Sequence, residues 1–138
     1  MEKEGASATS MDAEGIDYAK ERVVFDRPSG QKQGVRFPLV GVWAGVEAAD
    51  IICRRAAVLF DAGEECWADV NMATLLPSET TWHAADAIFA TYGRFAFAKE
   101  YDIERKWREA RLYQTAPIST NLILSYLAEH VLDLPRSY

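Results

Sequence analysis

Residues 91–120 read TYGRFAFAKEYDIERKWREARLYQTAPIST, and this stretch decides how the rest of the chain is interpreted. Gly93 ends an apolar helical pattern, and a short helix then starts after Asp102, a residue type favoured at helix N-caps, and reaches Tyr113. The TAPIST segment interrupts the pattern again before a last apolar run. Such a stretch is either the rim of a cofactor site or a corner between two helices, and the flanking sequence has to distinguish the two.

The composition predicts one globular domain. The chain has 138 residues, of which 49% are hydrophobic and 26% are charged, which is enough for a sizeable core. Its net charge of −6 argues against nucleic acid or an anionic membrane surface as the main partner. No apolar run is long enough to predict a membrane span, and the polar N-terminus lacks a signal-peptide pattern. The expected location is therefore the cytoplasm.

Local motifs predict neither a metal site nor a catalytic triad. Cys53 and Cys66 do not form a CxxC pair, and neither has a histidine at metal-ligand spacing. Ser78, His83 and Asp86 lie on one predicted helix, but no glycine elbow surrounds the serine. On local chemistry alone, the sequence indicates only a helical domain.

Apolar residues recur at helical spacing almost throughout the chain, after a tail of residues 1–10 that is expected to be disordered. The first helix carries Ile16, Ala19 and Val23 on one stripe, and the DRPSGQKQG segment after it is a turn. The second helix has Pro38 in its first turn. The apolar positions of this second helix are Leu39, Trp43, Val46, Ala49, Ala56 and Leu59.

The second and third helices are predicted to be long. An ion pair between Asp50 and Arg54 is expected on the polar face of the second helix, which Gly63 ends. The acidic residues from Glu64 onward suit the N-terminus of the third helix. Pro77 lies inside this helix and should kink or split it, because proline removes a backbone hydrogen bond. The apolar side of the third helix consists of Trp67, Val70, Leu75, Trp82, Ala85 and Phe89.

No alternating strand pattern and no internal repeat is present, so the fold class is predicted to be all-α. The domain is expected to be an up-down helical bundle over residues 11–133, with two long helices, one medium and two short, followed by a tail of residues 134–138. The four tryptophans are expected to be core or interface anchors. The basic residues of the 105–111 stretch alternate with acidic ones, which is typical of a solvated helix face.

The order of the segments resembles the C-terminal helical domain of acyl-CoA dehydrogenases. That domain opens with a helix ending in Arg-x-x-Phe-Gly. It continues with a Gln, two long antiparallel helices, a Gln-x-x-Gly-Gly-x-Gly loop, a charged helix and a final helix. The matching segments here are RVVFD (22–26), Gln33, RRAAVLFDAGEE, ATYGRFAF (90–97), KEYDIERKWREARLY (99–113) and NLILSYLAEHVL. The resemblance covers roughly residues 13–133.

The resemblance implies a role beside FAD. Enzymes of this family remove two hydrogens across the α–β bond of an acyl-CoA and pass a hydride to FAD. Their C-terminal domain builds the dimer or tetramer and helps to hold the FAD of a neighbouring subunit. Arg22, Phe25 and Gln33 match the positions that contact the pyrophosphate and adenine side of FAD. Gly93 matches the glycine turn that lets the backbone approach the same cofactor.

The chain also departs from the family pattern. It contains no counterpart of the N-terminal and middle domains, which form most of the flavin and acyl-CoA pockets. Ala90, Arg94 and Ala96 replace the Gln and two glycines of the loop, and Arg94 either clashes with the cofactor or pairs with a phosphate. Asp26 replaces a glycine and adds a carboxylate near the expected pyrophosphate. Pro117 occupies the place of the catalytic Glu of many members, so no catalytic residue is predicted.

Three hypotheses follow from these observations. The chain is a homo-oligomeric scaffold of the family without independent catalysis. Alternatively, it supplies half of an FAD site, either as an oligomer or with a partner chain that carries the missing domains. The third alternative is a decayed fragment without function.

Overall fold

The computed structural model describes residues 13–136, and within this range the chain forms five α-helices and no β-strand. The described part of α1 covers residues 13–21. The other helices are α2 (Gln33–Asp61), α3 (Trp67–Tyr92), α4 (Ile103–Leu112) and α5 (Thr120–His130). Three short 3-10 helices lie in the connections, at Ser29–Gln31, Gly93–Phe97 and Lys99–Tyr101. The all-α prediction is confirmed, whereas the predicted tail of residues 1–10 lies outside the described residues.

The two long helices, α2 and α3, pack against each other as an antiparallel pair. Near the turn that joins them, Arg55 Nε lies 2.8 Å from Asp69 Oδ1. Farther from the turn, Gly45 faces Thr80 so closely that a Cβ on the glycine would lie 3.2 Å from the threonine side chain. Contacts that lie later in α3 therefore involve residues that lie earlier in α2, so the two helices run in opposite directions. Small residues at the crossing allow the two backbones to approach.

The end of α2 is a Schellman motif, as the glycine in the sequence predicts. Gly63 has φ = +70°. Its N–H donates to the carbonyl of Phe60, and the N–H of Glu64 donates to the carbonyl of Leu59, each at 3.0 Å. These bonds satisfy carbonyls that the helix end would otherwise leave without donors. The chain can then reverse into α3.

Pro77 does not split α3, which runs without interruption from Trp67 to Tyr92. A proline at this position cannot donate to the carbonyl of Ala73, four residues earlier. The thiol of Cys53 on α2 lies 3.5 Å from that carbonyl oxygen and donates to it. The buried hydroxyl of Ser78 donates to the carbonyl of Leu75 at 2.7 Å. Of the two expected outcomes, a kink or a split, the split does not occur, and a neighbouring helix supplies a donor to the carbonyl that the proline leaves without one.

Two helix boundaries also differ from the prediction. α1 ends at residue 21, so Val23 does not extend its stripe and instead forms an isolated bridge with Pro28. α2 begins at Gln33, and this start places Pro38 in its second turn rather than its first. The second turn of a helix is less favourable for proline. The carbonyl affected there belongs to Gly34, an exposed residue near the helix start that water can reach.

The core lies where α1, α2, α3, α4 and the segment after α3 meet. Ile88 and Ile103 are fully buried in it. Trp82 and Trp107 pack against this core with their ring centres 5.1 Å apart, so they are the anchors that the sequence predicts. Trp67 is 65% exposed, so of the two predicted roles, core anchor or interface anchor, it does not have the first. The predicted solvated face of α4 is confirmed, since Arg105, Lys106 and Arg108 form ion pairs with Glu14, Asp102, Glu104 and Glu109.

Candidate functional site

Four aromatic side chains meet where α1, α3 and the following 3-10 segments converge: Tyr18, Tyr92, Phe95 and Tyr101, here termed the aromatic cluster. The Tyr18 and Tyr92 rings stack with centroids 3.8 Å apart. Tyr101 makes edge contacts with Tyr92 at 5.4 Å and with Phe95 at 5.9 Å. The cluster fixes the end of α1 against the segment that follows Gly93.

Two arginines contact the Phe95 ring of this cluster, and we refer to them as the arginine pair. The guanidinium carbon of Arg22, just after α1, lies 5.2 Å from the ring centre. The guanidinium carbon of Arg94 lies 5.1 Å from the same centre. Both distances fit cation–π contacts, which contribute about 0.5–1 kcal/mol each at exposed sites. Sequence segments that are far apart therefore meet on a single ring.

The arginine pair has no carboxylate within ion-pair distance in the part of the chain that the structure describes. This distinguishes it from Arg105 and Arg108 of α4, whose guanidinium groups pair with acidic side chains on the same helix. Because Arg22 and Arg94 share one ring, their guanidinium carbons are at most about 10 Å apart, close to one Debye length at physiological salt. Two uncompensated positive charges at this separation repel each other and favour an anion beside them.

Gly93 is required at its position by backbone conformation. Its φ of +58° and ψ of −130° lie in a region that residues with a Cβ rarely occupy. Apart from its two chain neighbours, a Cβ built on Gly93 would meet no atom of the described chain within 4 Å. The glycine is therefore not needed for internal packing, and the exposed backbone at the end of α3 is open to approach from outside.

A tight turn carries Phe25 at its tip. The Val24 N–H donates to the Arg27 carbonyl at 2.9 Å, and the two central residues, Phe25 and Asp26, have φ values of 56° and 61°. Two positive φ values in succession are characteristic of type I′ turns, in which Gly, Asn and Asp are favoured. Asp26 therefore suits the backbone conformation at this position. From the sequence, only the charge of Asp26 was apparent, and its backbone conformation was not predicted.

Phe25 itself is an outlier. It is 85% exposed, and a bulky residue at positive φ is strained. The Lys32 ammonium lies 4.7 Å from the centre of its ring and stabilises this arrangement. A strained, exposed aromatic residue indicates a binding surface.

The structure brings some of the predicted FAD-binding residues together and leaves others apart. Arg22 and the Gly93 segment meet through Phe95. Phe25 contacts Lys32, which directly precedes Gln33, the exposed first residue of α2. None of the described contacts joins Gln33 to Arg22. Phe95 and Lys32 were missed by the sequence analysis because ordinary phenylalanines and lysines carry no local signal.

The electrostatics of the aromatic cluster keep one phenol protonated. Burial raises the pKa of Tyr92 above its ordinary value, and the nearby Glu14 carboxylate raises it further. Glu14 is held in place by Lys106 of α4, whose Nζ lies 2.6 Å and 2.7 Å from its two carboxylate oxygens. Tyr92 is therefore neutral at physiological pH and stacks as an uncharged ring.

Elsewhere in residues 13–136, the Ser78, His83 and Asp86 side chains do not form a triad. Ser78 is buried and bonded to a backbone carbonyl of its own helix, whereas His83 and Asp86 are exposed, so a triad is absent. The segment 115–119 places Pro117 on the surface, and Ser119 caps α5 by accepting from the Leu122 N–H at 3.4 Å. The described residues contain no group of His, Cys, Asp and Glu that could hold a metal ion.

The chain is similar to known proteins in both sequence and fold. The family profile for the acyl-CoA dehydrogenase C-terminal domain matches residues 5–132. Acyl-CoA dehydrogenase FadE12 of Mycobacterium tuberculosis is 36% identical over 125 residues, which span 89% of this chain and 32% of FadE12. The chain therefore spans about a third of the length of such curated relatives.

The fold comparison agrees. Butyryl-CoA dehydrogenase from Megasphaera elsdenii superposes with a TM-score of 0.87 at 22% identity, over 94% of this chain and 34% of that enzyme. PigA, solved as a complex with FAD, superposes with the same TM-score and identity over 90% of this chain and 32% of PigA. No helix among the described residues is long and apolar enough to cross a membrane.

Proposed function

Because the chain belongs to the acyl-CoA dehydrogenase C-terminal domain family, we propose that it forms the part of a flavin-dependent dehydrogenase that holds the diphosphate of FAD. The main support is that the guanidinium carbon of Arg22 lies 5.2 Å from the centre of the Phe95 ring, beside the Gly93 turn. Two segments that the resemblance associates with the same cofactor are thus adjacent in space. FAD, when bound, supplies the hydride acceptor of such an enzyme.

The residues that are present fit the diphosphate end of the cofactor. A guanidinium without a carboxylate partner is a suitable ligand for phosphate oxygens, because its donors form a planar fork. The open backbone at Gly93 permits close approach of the same group. The exposed Phe25 ring offers a flat apolar surface a few residues from Arg22. These residues would bind and orient the cofactor and would not themselves transfer protons.

The proposal does not include independent catalysis. Abstraction of an α-proton needs a positioned base, and the segment 115–120 contains no acidic residue. A base and the remainder of the flavin pocket would come from another copy, a partner chain or sequence beyond this domain. Members of the family are oligomeric, and some act with partner proteins.

The test is a titration of the purified chain with FAD and with riboflavin, which lacks the diphosphate. We expect FAD to bind with a Kd of about 10–1,000 μM, as befits half of a site, and riboflavin to bind at least about tenfold more weakly. Arg22→Ala should abolish this preference. Arg111→Ala is the matched control, since its guanidinium stacks on Trp82 at 5.1 Å, away from the glycine turn. Equal binding of the two flavins, or no binding of FAD, would overturn the proposal.

A second function, assembly into a homo-oligomer, is favoured by the outer face of α2. Val40, Ile51 and Val58 are 59%, 66% and 67% exposed. Their spacings of 11 and 7 residues lie close to whole helical turns, so they form one apolar line on the helix. Phe37 and Trp43, also more than half exposed, flank this line. A contiguous apolar surface of this kind is typical of subunit interfaces.

Light scattering after size-exclusion chromatography tests this second function. The wild-type chain should elute as an oligomer, and Ile51→Glu should shift it toward monomer, because a buried carboxylate without a partner opposes association. Leu132→Glu is the control, since Leu132 is also 66% exposed but lies beyond α5. A wild-type monomer, or equal effects of the two variants, would contradict an assembly role for α2.

A further inference from the structure

We infer that Arg94 is a second anion ligand, which together with Arg22 forms a clamp for the diphosphate of a nucleotide cofactor. This inference rests on the proposed function, and it assigns a role to a residue that replaces glycine in the family pattern. The guanidinium carbons of Arg22 and Arg94 lie 5.2 Å and 5.1 Å from the centre of the Phe95 ring. The ring therefore acts as a common platform that positions both charges.

The position of Arg94 over the Phe95 ring favours pairing with an anion over a clash. A side chain that blocked the approach to Gly93 would have to project over the glycine backbone. Arg94 instead lies over Phe95, the next residue, on the ring that Arg22 also contacts. Apart from its two chain neighbours, a Cβ on Gly93 would meet no described atom within 4 Å.

The charge balance points to an anion rather than to an internal partner. Within residues 13–136, no carboxylate lies within ion-pair distance of Arg22 or Arg94, while Arg105 and Arg108 of α4 are paired. Both members of the pair are exposed. A diphosphate has two adjacent phosphoryl groups, and each can accept hydrogen bonds from one guanidinium. Two such groups on one platform match this ligand better than a single phosphate.

Arg94 also follows the C-terminus of α3, where a positive charge offsets the helix dipole. That role would affect the free energy of unfolding but not ligand affinity. Measurements of stability and of anion binding on the same variants separate the two roles. Arg94→Lys keeps the charge but loses the planar fork. Compared with Arg94→Ala, it should therefore be more stable to unfolding but should not regain the full anion affinity of the wild type.

The experiment measures binding of inorganic pyrophosphate, FAD and coenzyme A to the full chain by calorimetry. We expect Arg94→Ala to weaken all three ligands about five- to twentyfold and to reduce the salt dependence of pyrophosphate binding, while Arg111→Ala leaves all three unchanged. Arg94→Gly, which recreates the family residue, should behave like Arg94→Ala. Stronger FAD binding by Arg94→Gly would show a clash, and unchanged binding would show a purely structural role; either result overturns the inference.

Failure of the inference differs from failure of the proposed function. If wild-type FAD binding depends on Arg22 but not on Arg94, the proposed function stands and the clamp falls. If pyrophosphate binds in an Arg94-dependent way but FAD does not exceed riboflavin, the clamp stands and the flavin role falls. Tighter binding of coenzyme A than of FAD would assign the same clamp to the diphosphate of the acyl carrier.

Discussion

The thiol of Cys53 on α2 lies 3.5 Å from the carbonyl oxygen of Ala73 on α3. Ala73 is the residue four positions before Pro77, so its carbonyl is the one that the proline leaves without a backbone donor. The carbonyl belongs to a fully buried residue, where an unsatisfied acceptor is costly. A cysteine on the neighbouring helix thus compensates for a proline inside a long helix.

This relationship predicts an energetic coupling between Cys53 and Pro77. Cys53→Ala should lower the free energy of unfolding by about 1 kcal/mol, because it removes a weak donor to a buried carbonyl. In a Pro77→Ala background the same change should cost less than half as much, since the new N–H at position 77 satisfies Ala73. Urea unfolding of the four proteins in a double-mutant cycle measures the coupling. Additive effects would contradict this account, and Cys53→Ser serves as a variant that retains a donor.

The ion pair between Glu14 and Lys106 is expected to stabilise the packing of α1 on α4. The lysine side chain is only 23% exposed, and its Nζ contacts both carboxylate oxygens. Glu14→Gln should therefore cost about 0.5–1 kcal/mol in urea unfolding, with a smaller cost at high salt.

Asp17→Asn is the matched control for this prediction. Its pair with Lys20, at 2.9 Å, joins two side chains that are each more than two-thirds exposed. A solvated pair of this kind within one helix should contribute about 0.3 kcal/mol or less. If the two variants lost the same stability, the Glu14 pair would have no role in docking α1.

The raised pKa of Tyr92 predicts a loss of stability in alkali. A folded pKa above the unfolded value gives stability that is fully present below the unfolded pKa and is lost as the pH rises through the folded pKa. Unfolding free energies of the wild type should therefore fall above a pH of about 10. Tyr92→Phe should remove part of this fall, because it has no phenol to ionise. Tyr113→Phe, measured over the same pH range, controls for the loss of one phenol; an identical fall in both variants would exclude Tyr92 as the cause.

Much of the fold is predictable because its signals are local. Helical periodicity locates the two long helices, and Gly63 and Gly93 end them at positive φ as expected. The Asp50–Arg54 ion pair is present at 2.6 Å, since residues four apart on a helix are neighbours in any fold. These features depend only on residues within one turn of each other.

The features that the sequence did not predict have a common physical reason: each depends on residues that are distant in the sequence. The outcome at Pro77 is decided by Cys53 on another helix. Trp43 and Trp67 are 55% and 65% exposed although both lie on apolar stripes, because periodicity shows which face is apolar and not what covers it. The role of Phe95 as a shared platform appears only when α1 and the segment after α3 are brought together.

The candidate site was located by resemblance, and only part of it is supported by geometry. The meeting of Arg22 with the segment after Gly93 could not be derived from either segment alone. The unusual backbone of Asp26 gives a reason for the glycine of the family pattern, because φ = +61° favours small or Asx residues. Binding of FAD by Arg22, Phe25, Gln33 and Gly93 stays a prediction.

At two glycines with similar surroundings, substitution by alanine is expected to change the free energy of unfolding in opposite directions. A Cβ on either Gly93 or Gly41 would meet nothing within 4 Å, so steric contact is not the difference. Gly41 lies within α2, where alanine is the better helix former, and Gly41→Ala should raise the free energy of unfolding by up to about 1 kcal/mol. Gly93 has φ = +58° and ψ = −130°, and Gly93→Ala should lower it by about 1–3 kcal/mol because a Cβ is strained in that region.

The same pair separates the backbone role of Gly93 from a role in ligand approach. If the turn conformation positions Phe95 beneath the arginine pair, Gly93→Ala should weaken FAD binding under conditions where the variant is still fully folded by circular dichroism. Gly41→Ala should bind FAD like the wild type. A Gly93→Ala protein that was destabilised but bound FAD normally would confine this glycine to ending α3, and the segment would then be a corner between helices rather than the rim of a cofactor site.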